Sequence, residues 1–212
     1  MTTRDSSLTR QAGPQSARPA PLGVRFLRAK GTSVGMSVYN VWARLRHRVG
    51  FGPRVFGLDH VTLPCKDLRV AEEFYIGLLG ARVLMRVDAA FLRKVGRHAD
   101  ADAGAIHTSI VFSTGARLDL FIQPDGQPPP LAGHPHHAMA IGPGAMLRWK
   151  KRLNDAGVPT FGPTRLGPPG QASLYFNDPS GNHLELVTHG FVPDIPIGPP
   201  DMETLAYEWR GA

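Results

Sequence analysis

The strongest constraint on this chain is an internal repeat. LDHVTLP predicts a short strand, KDLRVAEEFYIGLLGA a helix stopped at Gly80, and ARVLMRV, AIHTSIVF and ARLDLFIQ three more strands. The order then recurs as HHAMAI, a helix over GPGAMLRWKKRLNDAG stopped at Gly157, a short strand near Thr160, and the strands ASLYFND and NHLELVTH. Val70, Phe74 and Leu78 in one helix, and Met146, Trp149 and Leu153 in the other, recur at spacings of three and four, the period of a helix with one buried face. Each half is a strand, a helix and three strands. The expected class is therefore α+β, built from two βαβββ modules.

Asn177-Asp178-Pro179-Ser180-Gly181-Asn182 is dense in turn formers and joins the last two strands as a hairpin. Alternation sorts the faces of these strands. Leu184 and Leu186 oppose Glu185, Leu118 and Leu120 oppose Asp119, and Val61 and Leu63 oppose His60. Helices cover the apolar faces, which leaves the polar ones to line a concave cup.

The net charge of +7 points toward nucleic acid until it is located along the chain. Residues 1 to 54 hold ten Arg or Lys against the single acid Asp5, a balance of +9 that leaves −2 for the remainder. The basic character belongs to a leader, and the body behind it has no nucleic-acid signature. No apolar run approaches the roughly 20 residues of a membrane span, and one cysteine, Cys65, excludes an intrachain disulfide. A reducing cytoplasm is the simplest setting.

The expected organisation is a basic, loosely attached leader over residues 1–35, an amphipathic helix and linker over 36–54, a folded domain over 55–190, and a proline-rich arm over 191–212. Within the domain the modules span about 56–125 and 134–190. The leader lacks the apolar core of a secretory signal and is Arg-rich like an organelle transit peptide, and Met36, directly after it, is an alternative start. Val38, Val41, Trp42, Leu45 and Val49 follow helical spacing among arginines. That pattern suits a membrane-surface helix, but it is read here as docking on its own domain or on a partner subunit, since the chain runs directly into a globular body. A connection over residues 88–104 is expected to form a short helix or lid.

The repeat also places polar residues at equivalent points: His60 opposite His137, and Asp119 opposite Glu185. Two imidazoles and one or two carboxylates on a common cup suit Fe(II), Mn(II), Ni(II) or Zn(II), with positions left for substrate. A lone strand-end histidine ordinarily faces solvent; the joint occurrence of these residues carries the metal reading. His134 and His136 are read as loop residues, and Cys65 as a small residue at a strand end.

LDHVTL with KDL and FYxxLLG, then RLDLF, HHAMAI and FNDPSGNHLELV, resembles the vicinal oxygen chelate superfamily of glyoxalases, fosfomycin-resistance thiol transferases, bleomycin-binding proteins and extradiol ring-cleaving dioxygenases. The resemblance covers residues 56–190. It implies paired βαβββ modules forming a single cup, with a divalent metal held by His60, His137 and Glu185. Enzymes similar to glyoxalase I place a glutamate where this chain has the shorter Asp119, which favours a two-histidine, one-carboxylate triad. The end of the chain's second module is similar to the extradiol dioxygenase signature, but Gly167 to Gln171 stand where that signature has a histidine. His107 is the candidate to replace it, and Tyr175 the candidate hydrogen-bond donor. The resemblance thus implies an Fe(II)-dependent ring-cleaving dioxygenase acting on a small molecule with vicinal oxygens. The alternatives are a glyoxalase-like lyase or isomerase using Ni(II) or Zn(II), and a metal-free drug-binding protein. A homodimer is compatible with each.

Overall fold

The computed structural model describes residues 20–48, 58–96, 106–123, 135–200 and 202–211. The first module contains β1 (His60–Cys65), α2 (Leu68–Glu72, continued as a wider π-helical segment over Glu73–Leu78), β2 (Arg82–Val87), α3 (Ala89–Lys94), β3 (His107–Val111) and β4 (Arg117–Ile122). The second contains β5 (His137–Ala140), α4 (Met146–Asp155), β6 (Phe161–Thr164), β7 (Gln171–Asn177) and β8 (His183–His189). They form two separate four-stranded sheets, ordered β1-β4-β3-β2 and β5-β8-β7-β6. The first strand of each module runs parallel to the last, and the other pairings are antiparallel. The repeat read in the sequence is therefore a repeat of topology.

Local chemistry starts and stops the helices as expected. The Asp67 carboxylate accepts from the backbone N–H groups of Arg69 and Val70 at the head of α2. Gly80 and Gly157 end the two module helices at φ +78° and +76°, a conformation that a side chain makes costly. Part of the expected lid over residues 88–104 is α3, capped by Asp88; residues 97–105 lie outside the described residues.

The apolar faces of both sheets meet in one core. Leu63, Cys65, Phe74, Ile110 and Leu120 from the first module join Met146, Leu153, Leu174, Phe176 and Leu184 from the second. Phe74 and Phe176 approach to 6.4 Å between ring centroids. The β7–β8 turn clamps the modules: Asn182 Nδ2 donates to the Pro64 carbonyl, Lys66 N donates to Ser180 Oγ, and Tyr75 Oη donates to the buried Asp178. Because both apolar faces turn inward, strand alternation turns the polar face of each sheet away from the shared core.

Cys65 sits on the apolar face, 1% exposed, and donates to the Phe121 carbonyl. Burial, followed by the charges of Asp178 and Asp67, pushes its thiol up to about 12. The native protein is therefore expected to resist a disulfide reagent at about pH 8 and to react at once in denaturant, as checked by thiol titration.

Ahead of the modules, α1 runs from Leu22 to Arg48. The helix expected over residues 36–54 thus begins within what was read as a loose leader, while residues 1–19 lie outside the described residues. The physical reason is a close approach. Ala29 is 1% exposed and lies so near Gly170 that a Cβ there would be 2.6 Å from the Ala29 Cα. Ser33 lies over Gly190 at ordinary contact distance, where an added Cβ would stand 3.7 Å from the Ser33 Cβ. Helical docking on glycines needs small residues, so this stretch lacks the large periodic residues by which a buried face is read.

After β8 the chain forms an arm. Ile197 bridges Arg165 at the end of β6, and Thr164 Oγ1 donates to the carbonyls of Pro196 and Gly198. Asn177 Nδ2 donates to the Met202 carbonyl, and Trp209 packs edge-on against Phe74 at 5.4 Å.

Candidate metal centre

Register decides which side chains share the polar face of each sheet. Asp119 on β4 pairs with Thr62 on β1, so His60, two residues earlier, lies on the face of Asp119. Glu185 on β8 pairs with Ala138 on β5, so the histidine on its face is His136, two residues earlier. His137 pairs with Leu184 and turns to the core side. The residue equivalent to His60 is therefore His136, and the expected grouping of His137 with Glu185 is corrected. The strand itself carried the signal: Met139 and Ile141 pack on the core, and His137 shares their parity. Burial, then the neighbouring His136, lowers the pKa of His137.

In the second module, His136 Nε2 lies 2.7 Å from Glu185 Oε2. Glu185 is 4% exposed, and its other oxygen, Oε1, is buried without a hydrogen-bond partner. An unsatisfied buried carboxylate oxygen beside an imidazole nitrogen is costly unless a cation or donor completes it. Tyr175 pairs with Glu185 across β7 and β8, and its ring stands edge-on to His136 at 5.3 Å. Burial first, and then the Glu185 carboxylate, push the Tyr175 phenol up, so it stays protonated as a donor. Met202 and Leu205 of the arm pack on Tyr175 with Phe161, leaving it 2% exposed.

In the first module, His60 is exposed, and its Nδ1 lies 2.9 Å from Asp59 Oδ1, which leaves Nε2 to face outward. That hydrogen bond and the charge of Arg117 lower the Asp59 pKa. Arg117 holds both oxygens of the buried Asp119, Nε donating to Oδ1 at 2.8 Å and Nη2 to Oδ2 at 3.1 Å. Asp119 is engaged by this fork as well as being short, so it is poorly placed to serve as a fourth ligand. His107 lies on the same face and stacks on Phe121, with centroids 4.3 Å apart. His107 and Tyr175 consequently belong to different modules.

Among the described residues, no three His, Cys, Asp or Glu side chains group closely enough to hold a metal ion. One chain presents two half-sets on faces turned away from a common core: His60 on one, His136 and Glu185 on the other. Each half-set has the nitrogen and oxygen donors that suit a divalent metal, and neither completes a triad alone.

Comparison with known proteins agrees with this architecture. The chain resembles a glyoxalase/dioxygenase from Nostoc punctiforme at 22% identity, covering 68% of this chain and 100% of that one, with a TM-score of 0.50. It also resembles a genomically encoded fosfomycin resistance protein, FosX, from Listeria monocytogenes at 18% identity, covering 65% and 94%, with a TM-score of 0.50. At these identities the likeness shows the fold. A search of curated proteins finds no match. The family model described as Glyoxalase/Bleomycin resistance protein/Dioxygenase superfamily matches residues 57–186, well over half the chain. With two topologically repeated modules carrying equivalent polar faces, the chain belongs to that superfamily, the vicinal oxygen chelate proteins.

Proposed function

We propose that the protein is a divalent-metal enzyme acting on a small molecule with two neighbouring oxygens, and that its site is completed by a second copy. His136 and Glu185 of one copy and His60 of the other would hold the metal. The observation that carries this reading is Glu185: a buried carboxylate beside His136 with one oxygen unpartnered. The bound ion would act as a Lewis acid that polarises the substrate oxygens and leaves open positions beside them.

Fe(II)-dependent oxygenation of the extradiol type is the reaction this donor set favours, because Arg117 occupies both oxygens of Asp119 and a four-ligand glyoxalase site needs a free carboxylate there. The protonated Tyr175 phenol, next to Glu185, would donate a hydrogen bond to a substrate oxygen. His107, on the other module's face, would reach the same substrate only from the second copy. Protein purified without oxygen and loaded with Fe(II), Mn(II), Ni(II) or Zn(II) is expected to cleave a catechol, with oxygen consumed, in its Fe(II) form. Turnover of a hemithioacetal alone would replace this reading with the glyoxalase-like one, and failure to bind any of the four metals would remove both.

The composite arrangement has its own test. His60→Ala and His136→Ala should each be inactive. Refolded together in equal amounts, they should regain about a quarter of wild-type activity, because half of the resulting pairs carry one intact site of two. No recovery in a mixture shown to exchange subunits would place the ligands within one chain.

A further inference from the structure

Helix α1 docks through one side and leaves a stripe of large apolar side chains on the other. Ala29 is seated on Gly170 and Ser33 over Gly190. At roughly 100° per residue, Leu27, Val34, Val38, Val41 and Leu45 fall about 120° to 180° around the helix from Ala29. They are 71%, 62%, 63%, 59% and 56% exposed, a row of large apolar side chains along most of a 27-residue helix. Trp42, 51% exposed and 6.1 Å from Tyr39 between ring centroids, lies at one margin of the stripe.

Charge identifies the occupant. The helix contains Arg25, Arg28, Lys30, Arg44, Arg46 and Arg48 and no Asp or Glu. By helical angle Arg28 and Lys30 border the stripe on its two sides. A second copy laid on this face would set the flanking cations Arg28, Lys30 and Arg44 against like charges, and Gly31 interrupts the row where a helix–helix seam needs a knob. An anionic lipid surface complements both features. Its acyl boundary takes the apolar row, its headgroups take the cations, and tryptophan and tyrosine favour the level between them. No helix among the described residues is long and apolar enough to cross a membrane, so the association would be at the surface.

We propose that α1 is a membrane-surface helix that binds anionic phospholipid through Leu27, Val34, Val38, Val41 and Leu45, holding the two-module body against the bilayer. The full chain is expected to sediment with vesicles of roughly three parts phosphatidylcholine to one part phosphatidylserine, and to ignore phosphatidylcholine alone. Val38→Asp with Val41→Asp should abolish sedimentation. Replacing Arg28, Lys30 and Arg44 by Gln should weaken it by about a hundredfold. These positions are exposed, and an unchanged circular dichroism spectrum and melting temperature would show that each variant keeps its fold. The proposal is overturned if wild-type protein fails to sediment with the anionic vesicles, if the variants sediment equally well, or if Val38→Asp with Val41→Asp dissociates a dimer while wild-type protein ignores lipid. The last outcome would make the stripe a contact between copies. None of these readouts depends on enzymatic activity, so failure here leaves the metal site untouched.

Discussion

Glu185→Gln and His136→Ala are each expected to lower metal affinity by about a hundredfold or more, while His137→Ala leaves it within the range of ordinary surface changes. A group that only orients a ligand typically contributes 10 to 100-fold, and a donor in direct contact contributes at least as much. Glu185 offers the buried oxygen that lacks a partner, and His136 stands 2.7 Å from its other oxygen. His137 instead pairs with Leu184 on the core side. Elemental analysis of the three variants, purified without oxygen, separates the two histidines directly. Full metal occupancy in His136→Ala together with loss in His137→Ala would reverse the assignment drawn from strand register. On the proposed reading catechol cleavage should fall in parallel, since a bound ion would polarise the substrate.

Asp178→Ala is expected to cost about 4 kcal/mol of stability, a large share of the 5 to 15 kcal/mol that holds a typical domain together. The Asp178 carboxylate, 2% exposed, accepts from Tyr75 Oη at 2.9 Å, Ser180 N at 2.9 Å, Asn182 N at 2.8 Å and Asn182 Nδ2 at 2.7 Å. Removing it leaves several buried donors unpaired, at about 1 to 3 kcal/mol for each that water cannot reach. One of them, Tyr75, belongs to the other module, so the variant also loosens the clamp between modules. Urea unfolding at an unchanged slope checks the figure. A loss below about 1 kcal/mol would mean that water replaces the carboxylate.

The same residue has a pH signature. Burial raises the Asp178 pKa above its usual 3.8, and the hydrogen bonds from Asn182, Tyr75 and Ser180 offset only part of that rise. The folded state then holds the proton more tightly than the unfolded chain, so this group's contribution to stability declines as pH rises from about 3.8 through the folded value. Asp178→Asn should lack that decline.

Much of this molecule was legible in the chain. Helix periods around Phe74 and Trp149, the glycine stops at Gly80 and Gly157, and the dense turn at residues 177–182 each express a local preference, and each lies where it was expected. Alternation correctly set Asp119 and Glu185 opposite their flanking leucines, because successive side chains on any strand point to opposite faces. The choice between His136 and His137 was open to the same rule, through Met139 and Ile141, but it became decisive only with the pairing of β5 to β8.

Three things belong to the tertiary structure alone. The fork of Arg117 on Asp119 removes a candidate ligand by occupying it, which residue type does not announce. Ala29 docks on Gly170 by the absence of side chains, so the contact leaves no apolar signature in the helix. Each polar face lies away from the shared core because both modules bury apolar residues in that one core. Strand alternation is fixed residue by residue within the chain. Which faces meet is decided by the removal of apolar surface from water, summed over two modules that no local pattern relates.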